Sequence, residues 1–271
     1  MTKVDRFSFH LYNMGMIKII FFDIDGTLVN YGSQSISKPV IESLRKLQQK
    51  GIKLFLATGR PNFVIPKFEG IQFDGALAFN GAYCFDQNNV LYKNPIQKNE
   101  LIKIRKNAQK MNKSIAYAST DQMVCDYYQE NLDRYFKMAG QSCPSSKDIN
   151  EFIEKDIYQM MVATTSNEDP YLLEGIQNLK SVRWVDFATD IIPSNGGKEV
   201  AIQKILSYYG FKQDETMAFG DGGNDAEMLR YVKIGVAMDN AMPEAKEAAD
   251  YITKDVKEDG IVYALKAFHL I

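Results

Sequence analysis

The N-terminal part of the chain alternates short apolar runs with an amphipathic segment. The run IKIIFF has the composition of a buried strand. The segment SKPVIESLRKLQQKG predicts a helix, with Ser37 as the N-cap and Pro39 in the first turn. Its apolar face carries Ile41, Leu44 and Leu47. The run IKLFLATGR follows, and strand, helix and strand at this spacing predict a βαβ unit.

The same alternation returns near the C-terminus. A helical segment GKEVAIQKILSYYG leads to the run TMAFGDGGND, then to AEMLRY, IGVAM, PEAKEAA and YIT. The predicted strands are short and apolar on both faces, as a parallel sheet covered by helices requires. Both ends of the chain are therefore expected to belong to one α/β domain.

The middle of the chain has a different pattern. AYCFDQNNVLYKN predicts a hairpin turning at residues 87–89, and a helix is expected near residues 97–113. The strand-like SIAYAS, MVCDYY, YQMMVATT and VRWVDFA then alternate with helical segments. The predicted fold class is α/β, with a Rossmann-like parallel-sheet core formed by residues 16–82 and 191–271. An α+β cap domain, residues 83–190, is inserted into it.

Residues 1–15 precede the first strand and lack an uninterrupted apolar segment of signal-peptide length. We interpret them as an N-terminal extension or as the product of an early start codon, because Met14 or Met16 would begin the strand directly. The longest apolar runs are too short to cross a bilayer.

Composition narrows the function classes. The chain has 271 residues, 45% of them apolar and 24% charged, with a net charge of -2, which is typical of a globular protein without a basic surface for nucleic acid or an anionic membrane. Three cysteines without CxxC spacing favour a reducing cytoplasm. The two histidines, His10 and His269, lie near the chain ends, which disfavours histidine-based triads and zinc sites.

Four polar clusters follow predicted strands or begin helices: DIDGT at 23–27, ATGR at 57–60, GGK at 196–198 and GDGGND at 220–225. Loops at the carboxyl ends of parallel strands meet in one crevice, so the carboxylates of these clusters are expected to lie together. Two carboxylates about 4 Å apart repel by roughly 4 kcal/mol at the effective dielectric of protein sites. Lys198 supplies one counter-charge, and a hard divalent cation, with Mg²⁺ favoured, would supply the rest.

The DIDGT cluster can present two carboxylates to one reacting group. Side chains at i and i+2 of an extended segment share a side, so Asp23 and Asp25 are expected to face the crevice while Ile24 points into the sheet. Thr58 would offer a hydroxyl and Gly59 an unobstructed amide from the next strand. Carboxylates, a divalent metal, a lysine and amide donors together indicate phosphoryl transfer.

Each cluster alone has an ordinary structural explanation. Aspartates often end strands, Thr-Gly is common in turns, and a lysine in a first helical turn is usually solvated. GDGGND falls short of a dinucleotide fingerprint, and GGK lacks the flanking residues of a P-loop. The ordered combination on one predicted sheet is what favours a site.

These motifs resemble the four ordered motifs of the haloacid dehalogenase-like hydrolase superfamily. IKIIFFDIDGTL, FLATGR, AFNGA and MAFGDGGNDAEML resemble more narrowly the Cof-type phosphatases, which carry a large α/β cap between the second and third motifs. The resemblance covers residues 17–80 and about 191–265 and matches the cap by position and size.

The resemblance implies a role for each motif residue. Asp23 would be the nucleophile that forms an aspartyl-phosphate, and Asp25 the acid and base. Mg²⁺ would be bound by Asp23, the backbone carbonyl of Asp25 and Asp221. The residues implied to hold phosphate oxygens are Thr58, Gly59, Lys198, Asn224 and the amide of Ile24. Asp225 is expected to orient Lys198 or the waters of the metal.

The sequence therefore predicts a cytoplasmic, Mg²⁺-dependent phosphatase acting on a small phosphorylated metabolite, with sugar phosphates favoured and with neither nucleic acid nor a membrane as partner. Two alternatives remain open: a phosphomutase or phosphotransferase with the same motifs, and a non-catalytic metabolite sensor. The intact Asp25 and Lys198 argue against the sensor. Three aromatic residues of the cap, Tyr127, Tyr128 and Trp184, are expected in its core. The oligomeric state is left open, and a monomer is compatible with the sequence.

Overall fold

The computed structural model describes residues 17–146 and 148–271. The extension assigned to residues 1–15, and the alternative starts at Met14 and Met16, lie outside the described residues.

The first strand, β1 (Ile19–Phe22), forms because its side chains are apolar on both faces. Ile20 and Phe22 pack into one hydrophobic cluster, while Ile19 and Phe21 pack into a second cluster on the opposite face of the sheet. All four side chains are fully buried. The strand is therefore central, and the polar residues that follow it emerge at an edge covered on both sides.

The helix α1 (Lys38–Gln49) has the predicted N-terminal features. The side chain of Ser37 accepts a hydrogen bond from the amide of Val40, and Pro39 lies in the first turn. Leu44 and Leu47 are fully buried against the sheet. The next strand, β2 (Lys53–Ala57), pairs in parallel with β1, which completes the expected βαβ unit.

The large sheet has eight strands in the order β13-β12-β11-β1-β2-β3-β4-β5. The pairs from β13 to β3 are parallel, so the core is a mostly parallel α/β sheet, as predicted. Its further strands are β3 (Gly75–Ala78), β4 (Tyr83–Asp86), β5 (Val90–Lys93), β11 (Thr216–Gly220), β12 (Ile234–Ala237) and β13 (Tyr251–Ile252).

The hairpin formed by β4 and β5 corrects the sequence analysis, which placed it in the inserted module. β4 pairs antiparallel with β3, so the hairpin extends the large sheet at its edge. The physical reason is that β3 would otherwise expose unpaired backbone groups, which the hairpin satisfies. We propose that the cap begins after Lys93 rather than at residue 83 and ends near Pro193 rather than at residue 190.

The inserted cap contains a separate five-stranded antiparallel sheet in the order β7-β6-β8-β10-β9. An inserted cap was predicted from the sequence, and the antiparallel sheet confirms it. Its strands are β6 (Ile115–Ala118), β7 (Met123–Cys125), β8 (Gln159–Val162), β9 (Leu179–Val185) and β10 (Ala188–Pro193). Its helices are α2 (Lys98–Lys110), α3 (Glu130–Met138), α4 (Ile149–Phe152) and α5 (Asp169–Leu172).

The remaining helices return to the core: α6 (Lys198–Tyr209), α7 (Ala226–Tyr231), α8 (Pro243–Ala248) and α9 (Gly260–Ala267). Among the described residues, no helix combines the length and apolar character that crossing a membrane requires.

The order of the parallel strands positions the polar clusters. β1 lies between β2 and β11, and Phe22 is in register with Leu56 on one side and Phe219 on the other. The segments that begin at Asp23, Thr58 and Asp221 therefore leave the sheet side by side, beneath the cap.

Candidate active site

The segment after β1 turns sharply out of the sheet. The amide of Asp23 donates to the carbonyl of Phe219, and the side chain of Ile24 is buried in the core as expected. Gly26 has φ +88°, and a Cβ there would lie 2.2 Å from Oδ2 of Asp221. Only glycine permits both this backbone conformation and the close approach of the carboxylate.

Lys198 is the first residue of α6, and its side chain is fully buried beside two carboxylates. Its Nζ donates to Oδ1 of Asp23 at 2.7 Å and to Oδ1 of Asp225 at 2.6 Å. Burial alone would lower the pKa of Lys198, but the two carboxylates outweigh it and raise the pKa. The raised pKa favours the charged form of Lys198, whose Nζ holds one oxygen of Asp23.

Asp225 supports the loop after β11. Its Oδ2 accepts hydrogen bonds from the amides of Asp221 at 3.0 Å and Gly222 at 2.9 Å, while Oδ1 accepts from Lys198. Both oxygens of this buried carboxylate are thus engaged by the protein. The arrangement agrees with a role in orienting Lys198 and the loop.

Asp221 is held by two hydroxyl groups. Thr27 Oγ1 donates to Oδ1 and Tyr31 OH donates to Oδ2, each at 2.7 Å. Burial, followed by the charge of Asp225, raises the pKa of Asp221 to about 7. The sequence analysis did not assign a function to Thr27 or Tyr31, because nothing in the spacing of a threonine and a tyrosine indicates which carboxylate they contact.

Asp23, Asp221 and Asp225 form a compact acidic cluster, in which one carboxylate oxygen from each residue lies within 4.8 Å of the others. Burial raises the pKa of Asp23 well above its usual value, Lys198 opposes this, and the neighbouring aspartates add to it. Three buried carboxylates beside one lysine carry excess negative charge. The donor set fits a hard divalent cation such as Mg²⁺.

Arg60, the last residue of the ATGR cluster, makes a bidentate ion pair with Asp25. Its Nε and Nη2 donate to the two carboxylate oxygens at 2.7 and 2.6 Å. Asp23, Asp25 and Arg60 line the same pocket, with Asp25 paired to Arg60 and Asp23 to Lys198. Sequence reasoning quoted this arginine within the ATGR cluster without assigning it a role.

Asn224 is tied to the core through Asn80, which lies after β3. Asn224 Nδ2 donates to Oδ1 of Asn80 at 2.9 Å, and Asn80 Nδ2 donates to Asp190 and Gln159 of the cap at 2.8 and 3.0 Å. Asn80 has φ +52°, a conformation that asparagine tolerates better than most residues. The AFNGA segment includes Asn80, but the cap residues that Asn80 contacts are distant in sequence, so the segment alone does not indicate them.

A pocket that is partly open to solvent lies between the core and the cap. Of the residues predicted to act in the site, five line it: Asp23, Asp25, Thr58, Gly59 and Asn224. Lys198, Asp225 and Asp221 lie behind this wall and contact it through the hydrogen bonds described above.

The cap supplies the opposite wall, which is largely apolar. Its lining includes Met123, Phe136, Met161 and Trp184. Trp184 therefore lines the pocket, contrary to the expectation that it lies in the cap core. Tyr127 and Tyr128 are also not core residues, since their exposed fractions are 42% and 64%. Hydrophobic patterning does not distinguish an aromatic residue in a pocket wall or on the surface from one in the core.

A family model described as haloacid dehalogenase-like hydrolase matches residues 20–265. The Bacillus subtilis protein YkrA, whose name marks it as a candidate phosphatase, is 34% identical over 259 residues, covering 94% of this chain and 98% of that protein. The Bacillus subtilis protein YitU, named 5-amino-6-(5-phospho-D-ribitylamino)uracil phosphatase, is 26% identical and covers 92% and 97% of the two chains.

Among solved structures, the HAD subclass IIB sugar phosphatase BT4131 superposes with a TM-score of 0.85 at 34% identity, covering 94% of this chain and 100% of that one. BT1666 of Bacteroides thetaiotaomicron, described among the phosphatases of the same superfamily, has a TM-score of 0.88 at 29% identity and covers 94% and 96% of the two chains.

Proposed function

Because the chain belongs to the haloacid dehalogenase-like hydrolases and is a phosphatase of their Cof-type subclass IIB, we propose that its substrate is a small sugar phosphate. The observation that supports this most directly is the placement of Asp23 and Asp25 in one pocket between the core and the cap. The sugar phosphatase BT4131 has a similar fold over 94% of this chain, at 34% identity.

In the proposed reaction, Asp23 is the nucleophile. Lys198 holds one of its oxygens, and the other attacks phosphorus, forming an aspartyl-phosphate while the ester P–O bond breaks. Asp25 donates a proton to the departing sugar oxygen. It then takes a proton from the water that attacks the phosphoenzyme, which releases inorganic phosphate and regenerates Asp23.

The ion pair with Arg60 holds Asp25 at the pocket wall before the reaction. A protonated carboxyl has no charge to share with the guanidinium, so the acid step requires Asp25 to exchange this pair for contact with the ester oxygen. Arg60 thereby holds the Asp25 side chain close to the pocket until a substrate arrives.

The remaining motif residues are proposed to hold the phosphate oxygens. Thr58, Gly59 and Asn224 line the pocket at the ends of the strands beside Asp23. We propose that the amide of Ile24 and the charge of Lys198 complete this cradle. Asn224 is oriented for the task by its hydrogen bond to Asn80.

We propose that Asp23, the backbone carbonyl of Asp25 and Asp221 bind Mg²⁺, with Asp225 as a supporting residue because its oxygens are engaged by Lys198 and two amides. When bound, the ion would neutralise charge on the phosphate oxygens as a Lewis acid. The acidic cluster then needs no further counter-charge.

A panel of phosphorylated sugars and other small phosphate esters tests the proposal, with inorganic phosphate and isomerised sugar phosphate measured in parallel. We expect Mg²⁺-dependent phosphate release, highest in kcat/KM for a sugar phosphate and abolished by Asp23→Asn. Asp25→Asn should instead accumulate a phosphoenzyme, which Asp23→Asn cannot form. Isomerisation without phosphate release would favour a phosphomutase, and phosphate release undiminished in Asp23→Asn would contradict the proposed nucleophile.

A further inference from the structure

Tyr31 touches the acidic cluster and the cap with the same side chain. Its hydroxyl donates to Oδ2 of Asp221 at 2.7 Å, and its ring is stacked on Trp184, with the centroids 6.0 Å apart and the planes at 11°. Trp184 belongs to β9 of the cap. Tyr31 lies in the loop after β1, so it bridges two parts of the fold that share no sheet.

The position of the Tyr31 hydroxyl is defined by its surroundings. Thr27 donates to the other oxygen of Asp221, so the two hydroxyls together fix both carboxylate oxygens. The missing side chain of Gly26 leaves the room that this requires, since a Cβ there would lie 2.8 Å from the Tyr31 ring. The ring orientation is therefore coupled to the orientation of Asp221.

On the cap side, Trp184 is anchored by a chain of hydrogen bonds. Its Nε1 donates to Tyr135 OH at 3.2 Å, and Tyr135 OH donates to Oδ1 of Asp190 at 2.5 Å. Oδ2 of Asp190 accepts from Asn80 Nδ2 of the core at 2.8 Å. A shift of Trp184 would thus disturb a buried network that ends on the core.

We propose that Tyr31 is a positioning residue that couples occupancy of the cation site at Asp221 to the seating of the cap through Trp184. The inference rests on the proposed function for the identity of the cation. A carboxylate oxygen has two lone pairs and can accept the Tyr31 hydrogen bond while it binds a cation. Restraining Asp221 then restrains the Tyr31 ring, and the stacked pair favours the seated cap by about two- to tenfold.

Such coupling is reciprocal. If the bound cation favours the seated cap, the seated cap strengthens cation binding by the same factor. Removing the Tyr31 hydroxyl should therefore act on cation affinity and on the cap, whereas removing a hydroxyl that touches Asp221 alone should act on affinity only.

The chain offers an internal reporter for this test, because Trp184 is its single tryptophan. Tryptophan emission is recorded while MgCl₂ is added to the full-length protein, and calorimetry measures Mg²⁺ affinity on the same samples. Tyr31→Phe keeps the ring and its stack but removes the hydroxyl. Thr27→Val is the matched control, since it removes the other hydroxyl that donates to Asp221 and lies within the core.

In the wild type, we expect an emission change with the same midpoint as calorimetric Mg²⁺ binding. Both variants should bind Mg²⁺ about tenfold more weakly, as is common when a partner of a metal ligand is lost. At saturating Mg²⁺, Thr27→Val should retain the full emission change and Tyr31→Phe should lose it.

A full emission change in Tyr31→Phe at saturating Mg²⁺ would overturn the coupling. So would a wild-type protein that binds Mg²⁺ and releases phosphate without any change in tryptophan emission. If the wild type neither binds Mg²⁺ by calorimetry nor hydrolyses phosphate esters, the proposed function fails and the inference fails with it. If it binds Mg²⁺ with the expected emission pattern but hydrolyses no ester, the coupling stands and the proposed substrate class is wrong.

Discussion

Replacing Lys198 by methionine tests whether the acidic cluster is charged in the folded protein. The substitution keeps an unbranched apolar side chain but removes the cation that lies 2.7 Å from Asp23 and 2.6 Å from Asp225. Removing one partner of a buried ion pair costs about 3–5 kcal/mol of unfolding free energy. A change of 1 kcal/mol shifts Tm by about 2–4 °C in a protein of comparable size, so Tm should fall by about 6–20 °C.

Differential scanning calorimetry without divalent cations measures the loss directly. Lys18→Met is the control, because Lys18 pairs with Glu215 at 2.6 Å but is 41% exposed, and such surface pairs contribute about 0–1 kcal/mol. The loss of unfolding free energy caused by Lys198→Met should be smaller at lower pH. Burial raises the pKa of Asp23 and Lys198 lowers it, so without the lysine Asp23 takes up a proton more readily.

A variant whose stability lies within about 1 kcal/mol of the wild type would refute this reasoning. It would mean that the aspartates are already protonated in the folded protein and that Lys198 does not compensate their charge. Mg²⁺ should restore part of the lost stability if the cluster is a cation site, since a ligand bound to the folded state alone stabilises it.

Two further predictions concern the same cluster. Gly26→Ala should displace Asp221 and weaken Mg²⁺ binding, as measured by calorimetry. Gly32→Ala, at φ +77° with open space around it, should lower the unfolding free energy by about 1–2 kcal/mol, seen as a lower Tm, and leave Mg²⁺ affinity unchanged. Equal Mg²⁺ affinities in the two variants would contradict the steric argument. Burial raises the pKa of Asp221 to about 7, so the folded protein holds this proton more tightly than the unfolded chain does. The stability of the metal-free protein should therefore fall as the pH rises from about 4 to 7. Thermal scans should show a larger stabilisation by Mg²⁺ at about pH 8 than at about pH 6, and an equal or smaller one would contradict the raised pKa.

Local patterns were sufficient for the parallel core and for most of the candidate site. Asp23 and Asp25 immediately follow an apolar run, and Asp221 and Asp225 follow another, so their place at the carboxyl edge of the sheet depends on short-range information. The strand order then brings them together, because loops that leave neighbouring parallel strands share one edge.

The cap shows where local patterning fails. The hairpin at residues 83–93 was predicted as a hairpin but was placed in the cap. The sheet that it joins depends on which edge offers unpaired backbone groups, and that edge belongs to β3 of the core. Trp184 has the same local pattern as a core residue, and its place in the pocket wall follows from the docking of the cap on the core.

The amino-acid sequence by itself determined the α/β core, the inserted cap and the identity of the carboxylates and lysine that crowd one edge of the sheet. Only the tertiary structure decided that Arg60 pairs with Asp25, that Asn80 links Asn224 to the cap, and that Tyr31 joins Asp221 to Trp184. Each of these contacts joins single side chains from segments far apart or not related by a helical or strand period. Periodicity predicts which face of an element is buried, but a directional hydrogen bond or a ring stack depends on where two separate elements finally pack.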